Sequence, residues 1–159
     1  MRTNVSETAT KSDIYFIGRD KGRKDFLIDL FNILSDNGCV CDFTINGVEK
    51  NAVVQGVKTG RGILYNQVIQ EIQSTNCILE VIQQGQNGVT LRYYEAVCYN
   101  KKLLTNNADI VNYPFYNPEY MKVFTKLEDI DVKWIKEQVD VNYKYNGEYS
   151  PINLVLEGK

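Results

Sequence analysis

The sequence contains no histidine. That absence removes Ser-His-Asp and Cys-His nucleophile systems, histidine-ligated zinc and a histidine general base. Any chemistry falls to carboxylates, to cations or to groups from another domain. Long apolar runs are also lacking: none reaches the ~20 residues that span a bilayer, so no transmembrane segment is expected. Neither charge sign dominates. With 18 Lys and Arg against 20 Asp and Glu, the net charge of −2 carries no general nucleic-acid footprint. Cysteines are few: Cys39, Cys41, Cys77 and Cys98. Cys39 and Cys41 are one residue apart, not the two of a zinc or redox CxxC. Buried free thiols in a reducing cytoplasm are the expectation for such a set. Met1 to Lys11 is polar and lacks the apolar core of a signal peptide, so 1–12 reads as a flexible leader or linker.

What is present suits one soluble domain over 13–159. A chain of 159 residues is long enough for a sizeable core, and 43% hydrophobic with 24% charged residues is the usual globular balance. Ile14-Tyr15-Phe16-Ile17 is a buried-strand run that ends at Gly18. Lys24 to Ser35 has helical apolar spacing, and Asn37-Gly38 is its stop signal. Val40 to Ile45 reads as a strand, and 46–62 as a long loop with a short extra strand around Ala52–Val54. A helix is expected over Tyr65–Ser74, a strand over Cys77–Ile82, a helix over Thr90–Tyr99 and a strand over Lys102–Thr105. A short strand over Tyr120–Phe124, a helix over Val132–Val139 and a final turn from Ser150-Pro151 complete the pattern. Alternation of this kind predicts an α/β fold: a Rossmann-like parallel sheet with helices on both faces. Right-handed crossovers put the strand-to-helix loops on one edge, where such sheets bind ligands.

Two segments fall on that edge. Gly18-Arg19-Asp20-Lys21-Gly22-Arg23-Lys24 follows the first strand and offers Arg19 and Lys24 as cations for a diphosphate. The alternative is a solvated turn with Asp20 and Asp25 as partners. The second segment is Gln84-Gly85-Gln86-Asn87-Gly88-Val89-Thr90, followed by a helix carrying Glu95. Glycines allow close backbone approach, and Thr90 can cap the helix or bond a phosphate oxygen. Glu95 can accept hydrogen bonds from ribose hydroxyls, or can pair with Arg92 one turn earlier. Ile63 and Leu64, just before a helix, are candidates for an apolar rest under a nucleobase or for a hydrophobic staple.

Tyr15 to Arg23, Gly85 to Ala96 and Asn100 to Asn107 together resemble bacterial glycosyltransferases of the GT-B type. The transferases of lipopolysaccharide and capsular polysaccharide biosynthesis are the nearest in pattern. The resemblance implies one half of a two-domain GT-B enzyme, the half that holds a nucleoside-diphosphate sugar. It implies Gly88, Val89 and Thr90 on the diphosphate, Glu95 on the donor ribose, and Arg19 and Lys24 as the cations. An N-terminal acceptor domain is then missing, and the chain alone is expected to be inactive. The acceptor would be a saccharide or lipid-linked saccharide. The location would be cytoplasmic, free or peripheral at the inner face of the membrane. No metal or other cofactor is implied, and no catalytic residue is assigned. Asn87 stands where many retaining members carry glutamate, so the resemblance leaves retention or inversion open. The rival class is a non-enzymatic α/β nucleotide-binding or regulatory module. A receiver-like module wants paired acids after the first strand, and a nicotinamide enzyme wants a glycine fingerprint there; Gly18-Arg19-Asp20 supplies neither.

Overall fold

A computed structural model describes residues 10–62, 64–83 and 90–146. Five parallel strands form one sheet: β1 (Ser12–Arg19), β2 (Cys41–Asn46), β3 (Thr75–Glu80), β4 (Lys102–Thr105) and β5 (Met121–Val123). Their order is β2-β1-β3-β4-β5, and helices flank them, as in a Rossmann-like α/β fold. The helices are α1 (Lys24–Asp36), α2 (Tyr65–Gln73), α3 (Leu91–Tyr99) and α4 (Val132–Lys136). Among the described residues, no helix is long and apolar enough to cross a membrane. The final turn expected from Ser150-Pro151 and the leader before residue 10 lie outside the described residues.

The chain divides into two compact units. The first comprises Met1–Asn76 and Asp131–Glu137. Its β1 is buried from Ile14 to Ile17 because a strand of a covered parallel sheet has two apolar faces. Helix α1 buries Leu27, Leu30, Phe31 and Leu34 at helical spacing. It ends as expected: Gly38 takes φ +92°, and Cys39 N–H donates to Leu34 O at 2.9 Å in a Schellman-type closure. Phe43 of β2 meets Phe31 edge-on at 5.5 Å and Phe16 at 5.9 Å.

The extra strand expected around Ala52–Val54 is not there. Lys50–Ala52 forms a 3-10 turn, and the pairing occurs later, at Lys58. Lys58 N–H donates to Phe43 O at 2.9 Å and Ile45 N–H to Lys58 O at 2.8 Å, a parallel bridge on the outer side of β2. Gly56 lets this loop pass over Phe31: its φ is +100°, and a Cβ there would stand 3.0 Å from the ring. Val57, next to the bridge, is buried.

Helix α4 returns from late in the chain to this first unit. Asn76 Nδ2 donates to Ile135 O at 2.6 Å and to Glu137 O at 3.0 Å. Lys136 Nζ donates to Gly38 O at 2.7 Å. Trp134 and Ile135 are buried.

A polar network also belongs to this unit. Arg61 Nη2 pairs with Glu71 Oε2 at 2.7 Å, Arg61 Nη1 donates to Thr44 Oγ1 at 3.0 Å, and Tyr15 O–H donates to Glu71 Oε1 at 2.8 Å. Burial alone would raise the Glu71 carboxyl, but the bonds from Arg61 and Tyr15 outweigh it and hold it below the ordinary carboxylate value. A carboxyl depressed in the folded state adds stability that is complete above its unfolded pKa. That contribution is lost as pH falls through the folded value. Urea unfolding of Glu71→Gln should therefore show a lower midpoint than wild type at pH 7 and a smaller loss of midpoint between pH 5 and pH 3. Parallel acid profiles would contradict the assignment.

The second unit comprises Cys77–Ile130 and Gln138–Lys159. Here β3, β4 and β5 align Ile78 with Leu103 and Leu103 with Met121. Helix α3 ends on Asn100, whose φ is +56°, and Lys101 N–H donates back to Ala96 O at 2.9 Å. The Asn100 side chain then accepts from Tyr143 N–H at 3.1 Å, and Tyr143 O–H donates to Lys101 O at 2.8 Å. These bonds fasten the segment after residue 138 to the amino end of β4. All four cysteines are free, and burial pushes the Cys41 thiol up to about 11.

Candidate functional site

The basic turn after β1 is built around Asp20. Its Oδ1 accepts Lys24 N–H at 2.8 Å and its carbonyl accepts Arg23 N–H at 3.0 Å, so Asp20 closes the start of α1. Lys21 and Gly22 take φ +48° and +80°, which makes the turn tight. Arg23 folds back over the strand end: its guanidinium lies 5.6 Å from the Phe16 ring centre, and Nη2 donates to Arg19 O at 3.2 Å. Lys24 Nζ bonds Asp25 Oδ1 at 2.9 Å, which raises its pKa and keeps it charged. The Asp20 and Asp25 partnerships foreseen for a plain turn are thus both made. Arg19 differs. It is exposed at the end of β1 and makes no ion pair among the described residues. Its guanidinium lies beside Gly47, where a Cβ would stand 3.1 Å from Nη2.

Thr90 is the N-cap of α3, as expected, with extended backbone. Its side chain makes no capping hydrogen bond. Its hydroxyl oxygen is buried and has no hydrogen-bond partner among the described residues. A Thr at this position ordinarily satisfies an N–H of the first turn with that oxygen. Glu95 is fully buried and ion-paired to Arg92. Gly88, Val89 and Ile63 lie outside the described residues. Leu64 is 68% exposed and is the N-cap of α2, where its N–H donates to Gln67 Oε1 at 2.9 Å. An exposed Leu64 makes no hydrophobic staple. Arg19 and Lys24 belong to the first compact unit, and Thr90 and Glu95 to the second.

A buried polar cluster that is not among the candidates named from the sequence lies at the carboxyl ends of β3 and β4. Glu80 accepts from Thr105 O–H at 2.5 Å, and Thr105 Oγ1 accepts Asn107 N–H at 3.0 Å. All three residues are buried. The signal was available: Glu80 is the lone acid in the apolar run Cys77–Ile82. A second feature, a polar cleft of about 340 Å³, is lined by residues including Ser12, Asp42, Arg61, Gln70 and Glu71. Its guanidinium and the Glu71 carboxylate are paired with each other.

The late acids Asp129 and Asp131 are structural caps. Asp129 Oδ2 accepts from Thr125 N–H, Thr125 O–H and Lys126 N–H, and these bonds, led by the one from Thr125 N–H, hold its carboxyl below the usual value. Asp131 Oδ1 accepts Trp134 N–H at 3.1 Å at the start of α4.

No family model matches the chain, and no curated protein matches it in sequence.

Proposed function

We propose that this chain is the nucleotide-sugar-binding domain of a GT-B type glycosyltransferase that acts in lipopolysaccharide or polysaccharide synthesis. The observation that carries the reading is Thr90: an N-cap residue whose buried hydroxyl bonds neither its own helix nor any other described group. A helix start left uncapped by its own side chain keeps amide donors and a hydroxyl for an anion, and the helix dipole favours negative charge there. The Rossmann-like sheet supports the reading, because ligands of such sheets collect outside the carboxyl ends of the strands. Of the two cations named from the sequence, Arg19 is exposed and makes no ion pair among the described residues, whereas Lys24 is engaged by Asp25.

In this reading the donor diphosphate bonds Thr90 and the first amides of α3, and the ribose hydroxyls bond Glu95. The acceptor saccharide and the group that activates its hydroxyl belong to a second domain outside this sequence. The enzyme would work in the cytoplasm, free or against the inner face of the membrane. Titration with UDP, GDP, ADP and dTDP tests the reading; at least one should bind.

A further inference from the structure

We infer that Asn106 is a positioning residue for nucleotide binding, an inference that rests on the reading just given. Asn106 is the first residue past β4, and its side chain holds both backbone groups of Ile82, two residues past the end of β3. Its Oδ1 accepts Ile82 N–H at 2.7 Å, and its Nδ2 donates to Ile82 O at 3.1 Å, across a sequence separation of 24. A primary amide carries the donor and acceptor of a peptide unit. The Asn106 side chain therefore extends the β3–β4 ladder by one rung after the backbone of β4 has turned away.

The support behind Asn106 is rigid. Thr105 is fully buried and bonds Glu80, and its carbonyl accepts Phe124 N–H at 2.9 Å. Asn107 is 4% exposed; its Oδ1 accepts Asp109 N–H at 3.1 Å and its Nδ2 donates to Tyr113 Oη at 3.2 Å. Both neighbours of Asn106 are thus locked, and Ile82 inherits that fixed position. Ile82 is where the chain leaves β3 on the way to Thr90, the residue assigned to the diphosphate. Loss of the double bond would free the exit point without removing any ligand contact. Displacements of about 1 Å at a binding constellation cost up to about a hundredfold.

The test uses the full chain, with the four nucleoside diphosphates as probes, at a temperature where every variant is folded. Asn106→Ala should bind the preferred diphosphate at least about tenfold more weakly than wild type. Asn106→Asp keeps the acceptor for Ile82 N–H but loses the donor to Ile82 O, and should fall between the two. Tyr143→Phe controls for stability alone, because it removes one hydrogen bond at the opposite end of β4; it should melt lower yet bind as wild type. Wild-type affinity in Asn106→Asp, or in a folded Asn106→Ala, overturns the positioning role. So does weakened binding by Tyr143→Phe equal to that of Asn106→Ala. A wild-type chain that binds none of the four overturns the nucleotide reading, and this inference with it.

Discussion

Phe43→Ala is expected to lower unfolding free energy by about 3–5 kcal/mol, the range for truncating a buried aromatic ring. Phe43 has no exposed surface. It lies at the meeting of β1, β2 and α1, where its ring touches Phe16 and Phe31. The substitution leaves a cavity and removes two ring–ring contacts, each worth about 0.5–1.5 kcal/mol beyond area alone. It also strips support from the segment around Lys58, whose backbone bonds Phe43 O and Ile45 N–H on either side of Thr44. Domains of this size are stable by about 5–15 kcal/mol, so the loss is a large fraction of the total. Phe43→Leu keeps most of the volume and should cost about 1–2 kcal/mol. Urea unfolding at neutral pH measures both. A cost below about 1 kcal/mol for the alanine variant would contradict this packing.

Glu95→Ala is the second large effect, and burial gives it two components. The sequence reading expects weaker nucleotide binding with the fold intact. The structure adds a stability cost, because a fully buried carboxylate paired to a guanidinium cannot be removed without leaving that charge behind. Removing one partner of a buried pair costs about 3–5 kcal/mol. Arg92 keeps 22% of its side chain in solvent, which reduces the figure to about 2–4 kcal/mol. The melting temperature should fall by about 5–15 °C. Glu95→Gln retains an acceptor and should lose less. It separates the two components: hydrogen bonds to a charged group are worth about 1.5–3 kcal/mol, so diphosphate affinity should drop about tenfold or more even where the domain remains folded. Unchanged affinity in Glu95→Gln would remove Glu95 from the ribose. Unchanged melting of Glu95→Ala would contradict the pairing with Arg92.

Much of the first unit was legible because its signals are local. The run Ile14–Ile17, the spacing of Leu27, Leu30, Phe31 and Leu34, and the Asn37-Gly38 stop each dictate their own structure. Lys102–Thr105 was legible for the same reason. The bridge at Lys58 was not, because a single paired residue requires no pattern of its own. The return of α4 to the first unit rests on Asn76 and Lys136, polar residues whose partners lie far along the chain. The burial of Glu95 was hidden too. Tyr93, Glu95, Ala96 and Val97 are all buried, so α3 is covered on more than one face. An amphipathic helix pattern predicts one. Of the candidate site, Arg19 and Thr90 were named from the sequence, but nothing in the sequence showed that Thr90 would leave its own helix uncapped.

The central claim is that the start of α3 holds a diphosphate, and calorimetric titration of wild type against Thr90→Val tests it most directly. Valine keeps the shape and the branched Cβ, and the Thr90 hydroxyl bonds no other described group, so the free protein should melt nearly as wild type. Wild type should bind at least one of UDP, GDP, ADP and dTDP, and Thr90→Val should bind it about tenfold or more weakly, the loss of one hydrogen bond to a charged oxygen. Binding of none of the four by wild type, or equal affinity in the two proteins, would contradict it.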